Sequence, residues 1–127
     1  MGILTFNGKA TTGAGEGKKY LALPWVKEQI NQTLGFSPYL GTLNLTLTRA
    51  SLANKKLLKR SELKIHPAEG YCLGLLFHAS IHGTPCAVVV PQVDSYPENV
   101  LELIAPVNLR EKLNLKDGDE VAVSVQV

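Results

Sequence analysis

Residues 42–47 constrain the fold most, because they alternate strictly between polar and apolar types. Such alternation is typical of a β-strand with one face in a core and the other in solvent. The three leucines are predicted to share the buried face, and Thr42, Asn44 and Thr46 the opposite face. Just past the turn at Gly41, a hydroxyl and a carboxamide can aim their oxygens at one point, which suits a hard cation such as Mg²⁺. A solvated strand face is the alternative.

Further segments of alternating or continuous apolar character predict more strands. With residues 42–47, they are residues 3–10, a short return at 20–23, 70–81, 86–90, 100–104 and 121–127. A hairpin turn at residues 82–85 joins two of them. The three consecutive valines at 88–90 predict a strand buried on both faces, as in a closed barrel. The sequence therefore predicts a mainly β fold, a small closed barrel of about six strands.

Two short helices are expected beside the strands. Pro24 suits the first position of a helix, and the apolar stripe of Val26, Ile30 and Leu34 continues it to Gly35, which suits a left-handed helix end. A second helical turn is expected near Leu109. Residues 49–68 are polar and are interpreted as irregular.

Length and composition limit the classes of function. The 127 residues predict a single domain, 1–127, and 45% apolar against 19% charged residues indicates a globular chain. A net charge of +2 gives no reason to expect a nucleic-acid or membrane partner. Cys72 and Cys86 lie in apolar runs and are expected to be buried free thiols. No signal peptide or membrane-spanning segment is recognisable, so we expect a cytoplasmic protein.

A glycine-rich loop over residues 11–19 is the second strong feature. Glycines at positions 13, 15 and 17 let the backbone approach an anion closely, as in phosphate-binding loops. It is not a Walker A motif, because the terminal Gly-Lys-Ser/Thr is absent, and no long helix follows as in a dinucleotide fingerprint. A flexible hairpin tip is the alternative.

Other charged and metal-ligating residues are less specific. Glu102 interrupts the apolar run 100–104, either on the polar side of an alternation or placed for function. The basic cluster between Lys55 and Arg60 is interpreted as a solvated surface, with anion binding as the alternative. The three histidines have no zinc-site spacing, and no Ser-His-Asp or Cys-x-x-Cys arrangement is suggested.

Motifs in a fixed order span nearly the whole chain. They are residues 13–17 with Tyr20, 34–36, 38–44, 88–91, 102–106, 109–111 and 115–119. Together they resemble the archaeal CTP-dependent riboflavin kinases. The resemblance implies a six-stranded cradle-loop β-barrel. It also implies transfer of the γ-phosphate of CTP to the 5′-hydroxyl of riboflavin, giving FMN and CDP.

The resemblance also implies roles for individual residues. Thr42 and Asn44 would hold Mg²⁺, and Glu102 would contact the flavin and orient or deprotonate its ribityl hydroxyl. Asp94 stands at a position where the family has threonine, and either Asp94 or its neighbour Ser95 would be the other flavin contact. Nucleotide contacts are expected at Gly13, Ala14, Gly15, Glu16, Gly17, Lys18, Val107, Asn108, Leu109 and Arg110.

Partners follow from the same resemblance. We expect riboflavin, FMN, CTP and CDP as small-molecule partners, no nucleic acid and a monomer. No helix-turn-helix module is expected, since the chain starts almost at the barrel. Two other hypotheses remain open: a DNA-binding module like the swapped-hairpin transcription factors, suggested by the pattern from Leu109 to Asp119, and a flavin carrier without kinase activity.

Overall fold

The computed structural model describes residues 2–13 and 15–127. Within these residues the chain forms seven strands and four short helices. In order they are β1 (Ile3–Thr11), α1 (Glu16–Leu21), α2 (Pro24–Leu34), β2 (Leu43–Leu47), α3 (Arg49–Lys55), β3 (Leu63–Ile65), β4 (Gly74–Ile81), β5 (Thr84–Pro91), β6 (Val100–Ile104), α4 (Leu109–Lys112) and β7 (Glu120–Gln126).

Six of the strands close into an antiparallel barrel. The order is β4-β5-β6-β2-β1-β7, and pairing of β7 with residues 79–81 of β4 closes the circle, while β3 pairs with residues 74–76 on the same edge of β4. The interior is filled by inward-facing apolar side chains, among them Phe6, Leu45, Val88, Leu101 and Val123. The predicted mainly β, six-stranded barrel is confirmed.

A second core covers part of the outside of the barrel. Leu21 of α1 and Val26 and Ile30 of α2 pack against outward-facing residues of the sheet such as Leu76 and Ile104. The valine run of β5 serves both cores, because Val88 and Val90 face inward and Val89 faces the helices. The strand is buried on both faces, as predicted.

Local sequence signals located several boundaries correctly. Helix α2 begins at Pro24 and ends before Gly35, whose φ of 79° is left-handed. The β4–β5 hairpin turns through His82 and Gly83, whose φ angles of 49° and 79° fit the type I′ turn that matches strand twist. Helix α4 begins at Leu109, as expected.

Two local predictions were wrong. Residues 20–23 are not a strand, because α1 spans Glu16–Leu21 and buries Leu21 in the outer core. Residues 49–68 are not irregular: α3 begins after Thr48, whose hydroxyl caps the amide of Ser51, and β3 pairs with β4. The part of the chain that the structure describes thus forms four helices rather than two, since short helices beside a sheet take their stability from packing more than from propensity.

The cysteines are free thiols, as predicted, but only Cys86 is fully buried. Burial raises the pKa of the Cys86 thiol to about 12. Cys72 is half-buried. Among the described residues, no helix has both the length and the apolar character that a membrane crossing requires.

Candidate functional site

The register of three neighbouring strands places polar side chains in one row outside the barrel. Asn44 of β2 pairs with Thr11 of β1 on one side and with Glu102 of β6 on the other. Thr42 lies two residues before Asn44 on the same face, and Asn44 Nδ2 donates to Thr42 Oγ1 at 3.3 Å. The row is half-buried, while the leucines alternating with it fill the barrel.

The glycine loop lies directly over this row. A Cβ at Gly13 would stand 2.6 Å from Asn44 Nδ2, and one at Gly17 would stand 2.7 Å from both Thr42 Oγ1 and Glu102 Oε2. A larger side chain at either position would have to displace these side-chain atoms. The structure therefore brings the glycine loop and the Thr42–Asn44 pair together, as the sequence predicted. Ala14, a predicted nucleotide contact, lies outside the described residues.

Glu102 is oriented by Tyr96, for which the sequence had predicted no role. The Tyr96 hydroxyl donates to Glu102 Oε1 at 2.7 Å, which leaves Oε2 toward Gly17 and Thr42. Burial, together with the charge and hydrogen bond of Glu102, raises the pKa of Tyr96 well above its usual range. A tyrosine in the loop just before this strand is the signal that could have revealed it, because a buried tyrosine hydroxyl usually finds a partner.

One lysine of the basic cluster reaches the site. The Lys55 ammonium stands 5.4 Å from the centroid of the Tyr96 ring, within cation–π range. Burial lowers the pKa of Lys55, partly opposed by the charge of Glu98. The other three basic residues of the cluster are exposed, in keeping with a solvated surface.

An apolar cavity of about 240 Å³ begins at Glu102 and extends under α1. Tyr20, Tyr71, Val89 and Ile104 form its walls. The rings of Tyr20 and Tyr71 are 6.3 Å apart. Trp25, at the start of α2, packs edge-on against both rings. The cavity is a slot for a flat, largely apolar ring with a polar group at one end.

A central cleft of about 540 Å³ opens beside the apolar cavity, and the two share Glu16, Gly17, Thr42, Tyr96 and Glu102. The glycine loop and Asn44 also line this central cleft. Backbone, hydroxyl, amide and carboxylate groups therefore line it together with the cationic side chains of Lys18 and Arg110 and the apolar side chains of Pro97 and Val100.

An outer cleft of about 230 Å³ continues on the far side of the central cleft. It is lined by Tyr39, Leu40 and residues 107–110, and it shares Thr42 and Arg110 with the central cleft. The three openings thus form one continuous groove with Thr42 common to all of them. The predicted nucleotide segments 13–18 and 107–110 meet along it.

Within the second predicted nucleotide segment the side chains differ in what they can contact. Asn108 caps α4 by accepting from the Glu111 amide at 3.3 Å. Leu109 is buried in the barrel core, so that only its backbone is available to a ligand. Arg110 donates to the carbonyl of Thr11 and to Asp117, each at 2.6 Å.

Asp94 is placed differently from the other predicted residues. It is exposed in the loop between β5 and β6 and is not among the residues lining the apolar cavity or the central cleft. Its neighbour Ser95 is likewise exposed, whereas Tyr96 from the same loop reaches Glu102. The flavin contact predicted at Asp94 stays a prediction.

Thr42 and Asn44, at the centre of the groove, can hold Mg²⁺ if the Asn44 amide rotates. The described residues contain no group of three or more His, Cys, Asp or Glu side chains able to hold a metal. Thr42 Oγ1 and the Asn44 amide, once rotated to present Oδ1, offer two neutral oxygen ligands. Mg²⁺ usually takes few protein ligands and completes its octahedron with phosphate oxygens and water, so two such ligands suit it.

Comparison with known proteins finds a family that matches nearly the whole chain. The model of the CTP-dependent riboflavin kinase family, whose description reads "Domain of unknown function DUF120", matches residues 10–125. A riboflavin kinase of Saccharolobus solfataricus is 44% identical, over 98% of this chain and 75% of its own length. Riboflavin kinases of Sulfurisphaera tokodaii and Sulfolobus acidocaldarius are each 42% identical over 97% of this chain, covering 96% and 82% of their own lengths.

Proposed function

Because this chain belongs to the CTP-dependent riboflavin kinase family, we propose that it is a riboflavin kinase that uses CTP as phosphate donor. It transfers the γ-phosphate of CTP to the 5′-hydroxyl of riboflavin, and the products are FMN and CDP. The observation that carries the proposal is the continuous groove, in which Thr42 borders the apolar cavity, the central cleft and the outer cleft.

The flavin occupies the apolar cavity in this proposal. Its planar ring system is amphipathic, and the aromatic walls at Tyr20 and Tyr71 suit stacking against such a ring. The ribityl chain then runs toward Glu102, whose Oε2 is turned to the central cleft. This carboxylate accepts a hydrogen bond from the 5′-hydroxyl and either orients it or removes its proton as it attacks.

The nucleotide occupies the other two clefts. The triphosphate lies in the central cleft along the glycine loop, where no described side chain caps the first turn of α1 and its backbone amides are available to phosphate oxygens. The cytosine lies in the outer cleft beside Tyr39 and Val107. CTP preference requires acceptors for the cytosine amino group, and main-chain carbonyls of the outer cleft are the candidates.

Mg²⁺ is proposed at Thr42 and Asn44. When bound there, it neutralises the charge that develops on the phosphate oxygens. The two neutral ligands leave the charge of the cation undiminished for the nucleotide. The chain's own contribution to phosphoryl transfer is then positioning: the glycine loop and Arg110 hold the donor, and Glu102 holds the acceptor in line with it.

A nucleotide panel tests this function. Purified protein is incubated with riboflavin, Mg²⁺ and one of CTP, UTP, ATP or GTP, and FMN formation is read by mass spectrometry. The expected result is FMN with CTP, accompanied by an equal amount of CDP, and much less with the others. Riboflavin binding without FMN formation from any nucleotide would instead indicate a non-catalytic flavin-binding protein.

A further inference from the structure

The turn that precedes β7 is bonded to the base of the glycine loop. Gly118 N donates to the carbonyl of Ala10 at 2.8 Å, and Ala10 N donates to the carbonyl of Asp119 at 2.9 Å. The Lys116 amide closes the turn on the Asp119 carboxylate at 2.7 Å. The turn is therefore fixed to the end of β1, three residues before Gly13.

The carboxylate of Asp117 projects from this turn and makes two side-chain bonds. Its Oδ2 accepts from the Thr12 hydroxyl at 2.7 Å, and its Oδ1 accepts from Arg110 Nη2 at 2.6 Å. The Thr12 hydrogen bond and the Arg110 guanidinium hold the pKa of Asp117 below its usual range. Arg110 Nη2 also donates to the carbonyl of Thr11 at 2.6 Å. One carboxylate thus links the glycine loop to α4.

We propose that Asp117 is a positioning residue that joins Arg110 and the glycine loop into one phosphate-binding unit. The inference rests on the proposed function, because it assigns the unit to the triphosphate of the donor nucleotide. Both bonds that fix Arg110 use Nη2. A guanidinium has five N–H donors, so Nε and Nη1 are left to the central and outer clefts, which Arg110 also lines.

The bridge is too exposed to act mainly on stability. The Asp117 side chain is 59% exposed and that of Arg110 30% exposed. Exposed ion pairs contribute little to the free energy of unfolding, because water screens them and both side chains lose rotamer freedom. Fixing the direction of a long arginine, by contrast, lowers the entropy lost when it binds an anion. The expected effect of losing the bridge is therefore on nucleotide affinity.

Asp117→Asn tests the proposal, with Asp119→Asn as the matched control in the same turn. Asp117→Asn is expected to raise the KM for CTP and the dissociation constant of CDP about 10-fold. The dissociation constant of FMN and the midpoint of denaturant unfolding should not change. Asp119→Asn, whose side-chain oxygen can still accept from Lys116 N, should leave all four values near those of the unchanged protein.

A double-mutant cycle separates positioning from a general effect of charge. In an Arg110→Gln background, Asp117→Asn should change CDP affinity less than twofold, because there is no guanidinium left to direct. Additive effects of the two substitutions, or unchanged CDP affinity in Asp117→Asn, would overturn the proposal. CDP binding is measured by calorimetry without turnover. Failure of the kinase function itself would appear separately, as an absence of FMN from the unchanged protein.

Discussion

At the scale of single residues, Asn44 is where the contacts of the groove converge. It stands between Thr11 and Glu102 in the strand register, bonds to Thr42 and lies under Gly13. These contacts come from three segments of the chain, namely the glycine loop with the end of β1, the start of β2, and β6. An amide side chain is suited to this position because it can donate to the Thr42 hydroxyl in one orientation and, after rotation, present an oxygen to a cation.

Asn44→Ala should lower kcat for FMN formation by about 10²-fold or more, because it removes a proposed metal ligand and the surface against which the glycine loop packs. Thr46→Ala is the matched control, since Thr46 lies on the same face of β2, two residues further along. It should retain activity. The measurement is kcat from steady-state kinetics with saturating Mg²⁺. An Asn44→Ala enzyme that keeps its activity would show that Asn44 is not a metal ligand.

Tyr96→Phe should lower kcat about 10-fold with little change in the KM for riboflavin. The substitution keeps the ring but frees Glu102 Oε1, so the carboxylate loses the bond that directs Oε2 toward the acceptor hydroxyl. Tyr71→Phe is the control, because it removes another hydroxyl from the same cavity, one that has no hydrogen-bond partner among the described residues. Equal kinetics in the two variants would show that Tyr96 does not position Glu102.

At the scale of elements, the glycine loop and α1 form one lid over the row of polar side chains. The sequence predicted the loop but extended it to residue 19 and continued it as a strand. Gly17 instead lies within α1, although glycine is a poor helix former. Its position is explained by what lies beneath it, namely Thr42 and Glu102 at contact distance.

Gly17→Ala should separate stability from activity. Alanine favours the helix by up to about 1 kcal/mol, so the substitution leaves the intrinsic helical preference of α1 intact or improved. Its methyl group would push against Thr42 and Glu102, and kcat should fall at least 10-fold. Gly2→Ala, which makes only an ordinary contact with Val127, is the control. Full activity of Gly17→Ala would mean that α1 does not close on the site.

How much of the structure could be predicted from the sequence depends on the range of the interactions involved. Strand alternation is local, so β1, β2, β6 and β7 were predicted, and the leucines of β2 face the core as expected. The closure of the barrel and the covering of its outer face by α1 and α2 are not local. The contacts of Tyr96 with Glu102 and of Asp117 with Thr12 were missed, because the Asp117 bridge joins residues 105 positions apart and both depend on the final packing.

At the scale of the whole molecule, one sheet carries a core on each face, and the groove begins where the outer core ends. Glu102 lies on the outer face of β6, on the same side as Ile104, which packs under α1 and α2. The apolar cavity is thus a continuation of the outer core rather than an opening into the barrel. A ligand can bind there without disturbing the barrel interior.

Burial of Cys86 in the barrel interior should make the free energy of unfolding fall as the pH rises above 9. The folded-state pKa of Cys86 is raised from 9.0 to about 12, so its contribution is complete below pH 9 and is lost as pH rises from about 9 toward 12. Between pH 8 and 10 the free energy of unfolding should fall by about 1 kcal/mol more in the unchanged protein than in Cys86→Ala. Urea titrations at both pH values measure this, with Cys72→Ala as control. Parallel losses in the unchanged protein and Cys86→Ala would contradict a buried, protonated Cys86.

The central claim is that one groove holds both substrates with Thr42 at their junction. A crystal structure of the protein with CDP, FMN and Mg²⁺ tests it most directly. The isoalloxazine ring is expected in the apolar cavity against Tyr20 and Tyr71, the FMN phosphate near Glu102, and the CDP phosphates along the glycine loop with the metal at Thr42 and Asn44. Density for FMN or CDP elsewhere on the barrel, with the groove empty, would contradict it.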